Sequence, residues 1–396
     1  MRILFVSSAY KPAYRMGGPA ISIPATAEAL VRVGHRVTVA TTNANLDQDL
    51  DVPLDQPVDV DGVTVWYFRR EEPLRKWLPF VPYLAQSSGF AYAREMKRAL
   101  PQLVADADVV DAQTSFVYPT YAAARAAQRL GKPLFYHQRG NLIGSRMQRR
   151  QLKKKLYIAL VERRIMERAT GLIALTEAER ETFRAVAPRT PCYVVPNGVD
   201  VPPPDPGAAQ RVAARWGIPA GAPVILYFGR LEAWKGFELL LETFGRIAAA
   251  HPDAVLVMAG VDQSGARERW QSLGRRVVFT GAVGGMEKED LLHRADLFCL
   301  PSSGEGLSMA TLEALAHGTA VMLSPECSFA EAERAGAGVI VPRDLDAMAA
   351  ALDALLRDPV RLRGMGERGR ELALREYAWD RVAARLAEVY ARSPRS

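Results

Sequence analysis

Short hydrophobic runs rich in β-branched residues alternate with helix-period patterns along the whole chain. ILFVSS, which begins at Ile3, precedes a helical stretch over residues 25–33, and HRVTVATT follows that stretch. The pattern continues through VTVWYF, DVVDAQ, PLFYHQ, GLIALT and CYVVPNG. Because strands separated by helices pair in parallel, we predict an α/β fold built on doubly wound parallel sheets.

A proline-rich segment interrupts this alternation. VPPPDPG, residues 201–207, holds four prolines in seven residues, which stops both a helix and a central strand. The alternation then restarts with PVILYFG, AVLVMAG, RVVFTG, ADLFCLP, TAVMLS and AGVIVP. We therefore predict one Rossmann-like domain over residues 1–200, a second over 201–376, and a C-terminal helix over 377–396 that packs back towards the first. A ligand site is expected in a cleft where the carboxyl ends of both sets of strands face each other.

Composition changes this picture little, but it excludes several classes of protein. Hydrophobic residues make up 49% and charged residues 24% of 396 positions, which is typical of a folded globular chain. The 51 basic and 44 acidic residues leave a net charge of +7, which permits nucleic acid as a partner without implying it. Three scattered cysteines without metal-ligand spacing indicate a reducing compartment and no structural zinc. No apolar run is long enough for a signal peptide or a membrane span, so we expect a cytosolic protein.

Two glutamates follow the predicted strand ADLFCLP. Glu305 lies in a loop between Gly304 and Gly306, and Glu313 lies inside the next predicted helix. The two carboxylates can accept hydrogen bonds from hydroxyl groups at two places on one ligand. The backbone amides of Leu307 and Ser308, with that of the next residue, open the helix and suit an anion such as phosphate. The same residues also fit a loop cap and a solvated helical position.

Two cations follow the first predicted strand of the second domain. Arg230 and Lys235 lie five residues apart in YFGRLEAWKG. Together they can neutralise adjacent phosphates of a diphosphate and stabilise its charge as it leaves. The alternative is ordinary solvation of a basic loop. In the first domain, Gly17 and Gly18 open the first helix and allow close approach of a ligand, although a plain turn explains a Gly-Gly pair equally well.

These motifs, in this order and together with PNGVD, VMAG and RVVFTG, resemble those of the retaining glycosyltransferases of family 4, which have the two-domain GT-B fold. The resemblance covers nearly the whole chain. It implies that Arg230 and Lys235 bind the diphosphate of a nucleotide sugar donor, while Glu305 contacts the transferred sugar and Glu313 the ribose.

The resemblance also implies roles for residues with weaker motifs. Gly306, Leu307 and Ser308 would complete the donor site through their backbone amides. Val283 would lie near the nucleotide base, and Gly18, with Gly17, would approach the phosphate or sugar from the first domain.

One position departs from the common family pattern. Many members have His-Gly or His-Asp at the end of the strand that here is PLFYHQRGNL, whereas this chain has Arg139 followed by glycine. His137 lies two residues earlier. A bacterial subgroup that makes polysaccharides is similar in having Arg-Gly there. We therefore treat His137 and Arg139 as alternative occupants of the position near the reacting carbon. A buried structural histidine is the other interpretation of His137.

A basic stretch, residues 146–169, combines a cationic start with apolar residues at helical spacing. This pattern is typical of an amphipathic helix on an anionic membrane surface, which would bring the protein to a lipid-linked acceptor on the cytoplasmic face. The alternative is a helix packed on the core with a solvated basic face. Nucleic acid is not expected, since aromatic residues do not interleave with these charges.

The resemblance thus implies a retaining glycosyltransferase that acts in surface polysaccharide or glycolipid assembly, with a UDP-, GDP- or ADP-linked sugar as donor. The absence of an Asp-x-Asp pair or histidine cluster at the inferred site predicts activity without a metal ion. A GT-B epimerase of nucleotide sugars and a non-catalytic, membrane-associated binding protein remain as alternatives.

Overall fold

The computed structural model describes residues 1–46, 48–71, 91–139, 158–262, 265–270, 274 and 276–392. The chain divides into two compact units, of which the first comprises residues 1–198 with 379–396 and the second residues 199–378. The C-terminal helix therefore belongs to the first unit.

The first unit is a sheet with helices packed on it. Within the described residues, its strands run in the spatial order β10-β9-β8-β7-β1-β2-β6-β5. Their bounds are β1 Arg2–Val6, β2 Arg36–Thr42, β5 Pro57–Val60, β6 Val63–Phe68, β7 Val109–Gln113, β8 Leu134–His137, β9 Gly171–Ala174 and β10 Cys192–Val194, and a separate hairpin pairs β3 Ala44–Asn45 with β4 Gln48–Asp49. The described helices are α1 Pro19–Arg32, α2 Arg94–Asp106, α3 Tyr118–Arg129, α4 Arg163–Glu167, α5 Glu177–Val186 and, from the chain's C-terminus, α14 Trp379–Ala391.

The edge of this sheet corrects the prediction that it is parallel throughout. β5 pairs with β6 in antiparallel fashion, although every other pairing in the sheet is parallel. The two strands are joined by Asp61 and Gly62, which both have positive φ, at 53° and 80°. Asp-Gly is a strong signal for a two-residue hairpin turn, and the helix–strand alternation alone does not reveal it.

The second unit is a six-stranded parallel sheet in the order β13-β12-β11-β14-β15-β16, counted within its described residues. The strands are β11 Val224–Phe228, β12 Val255–Ala259, β13 Val277–Gly281, β14 Leu297–Leu300, β15 Ala320–Leu323 and β16 Gly338–Ile340. The helices are α6 Ala208–Trp216, α7 Phe237–Ile247, α8 Ala266–Arg269, α9 Gly285–Arg294, α10 Met309–Ala316, α11 Ala330–Arg334, α12 Leu345–Leu356 and α13 Pro359–Leu372.

Both units bury their central strands almost entirely. β1 and β12 read as continuous apolar runs, RILFV and VLVMA, and nearly all their residues are buried. Such runs are expected where helices cover both faces of a parallel sheet. The predicted α/β fold with doubly wound parallel sheets is therefore confirmed, apart from the antiparallel edge strand.

Candidate functional site

The strand order of the second unit identifies the place where a ligand is expected. β11 lies beside β14, and the order of strands reverses between them. In open α/β sheets, ligands bind outside the carboxyl ends of the strands at this reversal, because the connections on either side leave a crevice. The connection after β11 carries Arg230 and Lys235, and the connection after β14 carries Glu305.

Lys235 and Glu305 meet across these two connections. The Lys235 Nζ lies 2.5 Å from Glu305 Oε1, with side-chain exposures of 16% and 9%. Nζ also lies 4.7 Å from the centroid of the Trp234 ring, which adds a cation–π contact. The structure therefore brings together one predicted cation and one predicted carboxylate from parts of the sequence 70 residues apart.

Gly236 explains how the two connections come so close. It has φ of 74°, and a Cβ built on it would lie 2.0 Å from the carbonyl oxygen of Pro301. The Ser303 amide donates a hydrogen bond of 2.7 Å to the Trp234 carbonyl, and the Ser302 and Ser303 hydroxyls donate to the same oxygen. Any side chain at position 236 would push the two connections apart.

Arg230 is placed differently from Lys235. Its guanidinium is 60% exposed and pairs with Glu232 Oε1 at 2.7 Å. The indole Nε1 of Trp234 donates to the other oxygen of Glu232. Arg230 thus lies on the same connection as Lys235. Its ion pair with Glu232 is largely exposed to solvent and therefore contributes little free energy.

The loop after β14 leads directly into α10. The Glu305 amide donates to the Glu326 carbonyl at 2.9 Å, which fixes the loop. Gly306 and Leu307 follow, and Ser308 is the N-cap of α10, where its hydroxyl accepts from the Thr311 amide. The first turn of a helix leaves backbone N–H groups without intrahelical partners, so this segment presents donors beside Glu305.

Glu313, inside α10, has a partner that the sequence did not reveal. Lys288 Nζ on α9 lies 3.2 Å from Glu313 Oε1. Burial raises the pKa of Glu313, and the attraction of Lys288 only partly opposes that effect. Burial lowers the pKa of Lys288, but Glu313 and Glu289 outweigh it, so its pKa lies above the usual range.

A second pair joins α9 to His317, the residue that caps the C-terminal end of α10. His317 Nε2 lies 2.7 Å from Glu289 Oε2, while His317 Nδ1 lies 2.7 Å from the Glu313 carbonyl oxygen. The hydrogen bond to His317 lowers the pKa of Glu289 to about 2. Residues 313 and 317 share a helix face at i,i+4 spacing, which the sequence shows, but the facing of α9 against α10 is a tertiary property.

Val283 lies in the short connection between β13 and α9, where it is half-buried. This connection leaves the carboxyl end of β13 and so belongs to the same edge of the sheet as the connections that carry Lys235 and Glu305. A contact of Val283 with a nucleotide base stays a prediction.

The first unit holds the other predicted residues. Gly17 has φ of 83° and Gly18 is the N-cap of α1, and a Cβ at either position would meet no atom within 4 Å. The positive φ of Gly17 requires a glycine, whereas nothing packed around Gly18 does. The open space is compatible with a ligand that approaches the start of α1.

Arg139 and His137 lie at the carboxyl end of β8, and both are buried. Arg139 donates to Gln113 Oε1 at 2.9 Å and to Asn197 Oδ1 at 2.8 Å. Burial lowers the pKa of Arg139 to about 10. Its guanidinium is thus held within the hydrogen-bond network of the first unit.

His137 has a different environment. Its Nδ1 lies 3.6 Å from Asp111 Oδ2, and neither ring nitrogen has a hydrogen-bond partner among the described residues. Burial, followed by the charge of Arg139, lowers the pKa of His137 to about 4. Asp111 Oδ2 itself accepts a hydrogen bond from the Tyr390 hydroxyl of α14. The imidazole of His137 is therefore neutral at physiological pH. A role of His137 or Arg139 in a reaction stays a prediction.

Across the described parts of the chain, no three His, Cys, Asp or Glu side chains form a group that could hold a metal ion. In those same parts, every helix is too short or too polar to cross a membrane. Of the basic stretch at 146–169, residues 146–157 lie outside the described residues, and the remainder forms a π-helical turn, Ile158–Glu162, followed by α4.

Comparisons with known families agree with this architecture. Residues 17–198 match the family model "Glycosyl transferase 4-like domain", and residues 209–372 match "Glycosyl transferases group 1". The chain belongs to the GT-B glycosyltransferases. The resemblance to family 4 fits this assignment.

This glycosyltransferase is similar to individual curated relatives over little more than half of its length, and to solved structures in fold. It is 32% identical over 229 residues to a phosphatidyl-myo-inositol mannosyltransferase of Mycolicibacterium smegmatis, and the match covers 57% of this chain and 58% of the relative. Its fold is similar to that of sucrose-phosphate synthase from Thermosynechococcus elongatus, with a TM-score of 0.75, 20% identity, and coverage of 99% and 98%. It is also similar to Anabaena HepE in complex with UDP and glucose, with a TM-score of 0.72, 18% identity, and 99% coverage of both chains.

Proposed function

We propose that this GT-B glycosyltransferase transfers a sugar from a nucleoside diphosphate sugar to a saccharide, glycolipid or lipid-linked acceptor. The transfer retains the anomeric configuration and needs no divalent metal. The observation that carries the proposal is the pair of Lys235 and Glu305, 2.5 Å apart, at the strand reversal of the second unit. A cation and a carboxylate at such an edge match the diphosphate and the hydroxyl groups of one donor.

Each group in this region has a defined task in the proposed reaction. An ammonium group has three N–H donors, so Lys235 can hold Glu305 and donate to the leaving diphosphate as well. Arg230 can join it at little energetic expense, because its pair with Glu232 is exposed. The first-turn amides of α10 add neutral donors for the same charge. Glu305 accepts hydrogen bonds from the transferred sugar, and Glu313 accepts them from the ribose.

Relatives support the choice of substrates. The name of the mycobacterial relative specifies a mannosyl group and a phosphatidylinositol acceptor, and another relative is described as GDP-mannose-dependent. The Anabaena structure contains UDP and glucose. We therefore propose GDP-mannose and UDP-glucose as the first donors to test, with phosphatidylinositol vesicles and octyl glucoside as acceptor probes.

Donor choice is tested first by thermal unfolding in the presence of UDP, GDP, ADP and their sugars, because a bound ligand stabilises the folded protein. Release of the nucleoside diphosphate is then measured with and without each acceptor. We expect turnover that needs an acceptor and that E305Q abolishes. Glu326, exposed on the neighbouring turn, supplies the matched control E326Q, which should keep full turnover.

Other outcomes separate the alternatives. Interconversion of the donor without an acceptor would indicate an epimerase, and binding without turnover under any condition would indicate a non-catalytic protein. The anomeric configuration of the product, measured by NMR, tests retention. Co-sedimentation with vesicles that contain or lack anionic lipid tests contact with an anionic membrane surface. Equal binding to both kinds of vesicle would exclude that contact.

The position near the reacting carbon is tested with H137A and R139A made separately. A residue that acts there should lower kcat while leaving the affinity for the donor nucleotide unchanged. Full turnover in both variants would show that this strand end is not catalytic.

A further inference from the structure

Three residues with side chains adopt left-handed backbone conformations at one edge of the first unit. Thr114 and Phe116, just after β7, have φ of 69° and 61°, and Arg139, just after the neighbouring β8, has φ of 59°. This conformation is unfavourable for residues with a Cβ, and most of all for bulky ones such as Phe116. Strained backbone of this kind persists only where the surrounding structure enforces it, and it concentrates at functional sites.

A buried carboxylate accepts a hydrogen bond from the connection after β7. Glu162 is 1% exposed, and its Oε1 accepts a hydrogen bond of 2.8 Å from the Phe116 amide. Its Oε2 accepts one of 2.5 Å from the Tyr136 hydroxyl. Burial raises the pKa of Glu162, and the hydrogen bonds from Tyr136 and Phe116 oppose that effect only in part. Glu162 also ends the π-helical turn Ile158–Glu162, and π turns frequently occur at functional sites.

Gln138 links the two strained connections and is itself bound by a second buried carboxylate, that of Glu179. The Ser115 hydroxyl donates to Gln138 Oε1 at 3.3 Å, and Gln138 Nε2 donates to Glu179 Oε1 at 2.7 Å. The Thr114 amide in turn donates to the carbonyl of His137 at 2.8 Å. The connections after β7 and β8 are therefore held to each other as well as to the helices behind them.

We propose that the connection formed by Thr114, Ser115 and Phe116 binds hydroxyl groups of the sugar or polyol acceptor, and that Glu162 is the positioning residue that holds it in its strained conformation. The connection follows β7, which lies beside β1 at the strand reversal of the first sheet, where a ligand is expected. Glu162 acts through the Phe116 amide and does not touch the acceptor. The acceptor part of this inference rests on the proposed function, whereas the positioning part does not.

The test compares E162A, E162Q and Y136F with the unaltered protein. E162A leaves the Phe116 amide without its acceptor, whereas the amide oxygen of E162Q can replace the lost carboxylate oxygen. Y136F removes the other partner of Glu162 and leaves its contact with Phe116 intact, so it is the matched control. Donor-nucleotide affinity should be unchanged in all three, because the side chains proposed to bind the nucleoside diphosphate lie in the second unit, and Gly17 and Gly18 lie outside the connection after β7.

Hydrogen exchange measures the positioning directly. In E162A, amides of residues 114–117 should exchange at least about tenfold faster, while peptides from the second unit stay unchanged. E162Q should restore the protection and Y136F should retain it. Unchanged exchange of these amides in E162A would overturn the proposal whether or not an acceptor has been found.

Kinetics measure the effect on the acceptor. With octyl glucoside as the probe, E162A should raise the acceptor KM about tenfold or more while the donor KM stays within twofold, and E162Q should recover most of the loss. Equal effects on both KM values would indicate a general loss of structure and contradict the proposal. If the unaltered protein transfers to no probe, the proposed function fails, while the exchange result still decides the role of Glu162.

Discussion

Replacing Lys235 with methionine removes the partner of a carboxylate that is only 9% exposed. An exposed ion pair contributes at most about 1 kcal/mol, whereas the loss of one member of a fully buried pair destabilises a protein by about 3–5 kcal/mol. Because Lys235 is 16% exposed, we expect a loss of about 2–3 kcal/mol, between these limits. For a unit of this size, that corresponds to a fall in Tm of roughly 5–10 °C.

The double variant K235M/E305Q separates charge from chemistry. E305Q removes the carboxylate charge, so the double variant has no nearly buried charge at position 305 without a partner. This variant should therefore regain most of the stability that K235M loses. Turnover should stay at least about 100-fold below that of the unaltered protein in both variants, because each lacks a group proposed to stabilise the leaving diphosphate.

Scanning calorimetry and nucleotide release on the same preparations measure the two effects. K97M, which removes an exposed lysine of the first unit, controls for the loss of one positive charge. A double variant as unstable as K235M would show that Glu305 is not destabilised by its unpaired charge. Turnover of K235M within threefold of the unaltered protein would refute the assignment of Lys235 to the donor diphosphate.

Three further predictions concern the same unit. G236A should unfold at a lower temperature and lose nucleotide binding, because its Cβ would lie 2.0 Å from the Pro301 carbonyl oxygen; unchanged binding in a thermal-shift titration would contradict this. The pKa of Glu289 is lowered to about 2 from 4.5, so its carboxylate contributes stability that is complete above about pH 4.5 and disappears as the pH falls towards 2. E289Q should therefore lower the Tm most at neutral pH, less at about pH 3 and hardly at all at about pH 2, and an equal loss at neutral pH and pH 2 would rule out this linkage. Excess EDTA should leave turnover unchanged, and a loss that Mg²⁺ or Mn²⁺ restores would disprove metal independence.

The fold could be predicted from the chain because its dominant signals are local. Apolar runs such as VILYF and VLVMA mark buried parallel strands wherever they occur, and α6 begins and ends where its helical period does. The antiparallel β5 was missed because PVDV is short and half-polar. Its turn, Asp61-Gly62, was the local signal that could have revealed it.

The candidate site was predictable only in part. Strand ends in a parallel sheet share one edge, so the sequence placed Lys235 and Glu305 in the same region. It did not predict that the two side chains would touch. Their contact depends on the close approach of Gly236 to the Pro301 carbonyl oxygen, which arises only in the tertiary structure. Lys288 was missed for the same reason, since it reaches Glu313 only through the packing of α9 against α10.

The resulting arrangement of charge has a consequence for how a donor binds. Within the described residues, three cations near the candidate donor site each have a carboxylate partner: Lys235 with Glu305, Lys288 with Glu313, and Arg230 with Glu232. A diphosphate that also binds Lys235 therefore weakens the ion pair of the nearly buried Glu305, which is unfavourable by itself. Hydroxyl groups of the transferred sugar can compensate Glu305 for the weakened pair, so the sugar and the diphosphate should each make the other's binding more favourable. Each carboxylate is therefore the counterion of a cation until the complete donor supplies hydroxyl groups that bind it. A nucleoside diphosphate without the sugar supplies no such hydroxyl groups to Glu305.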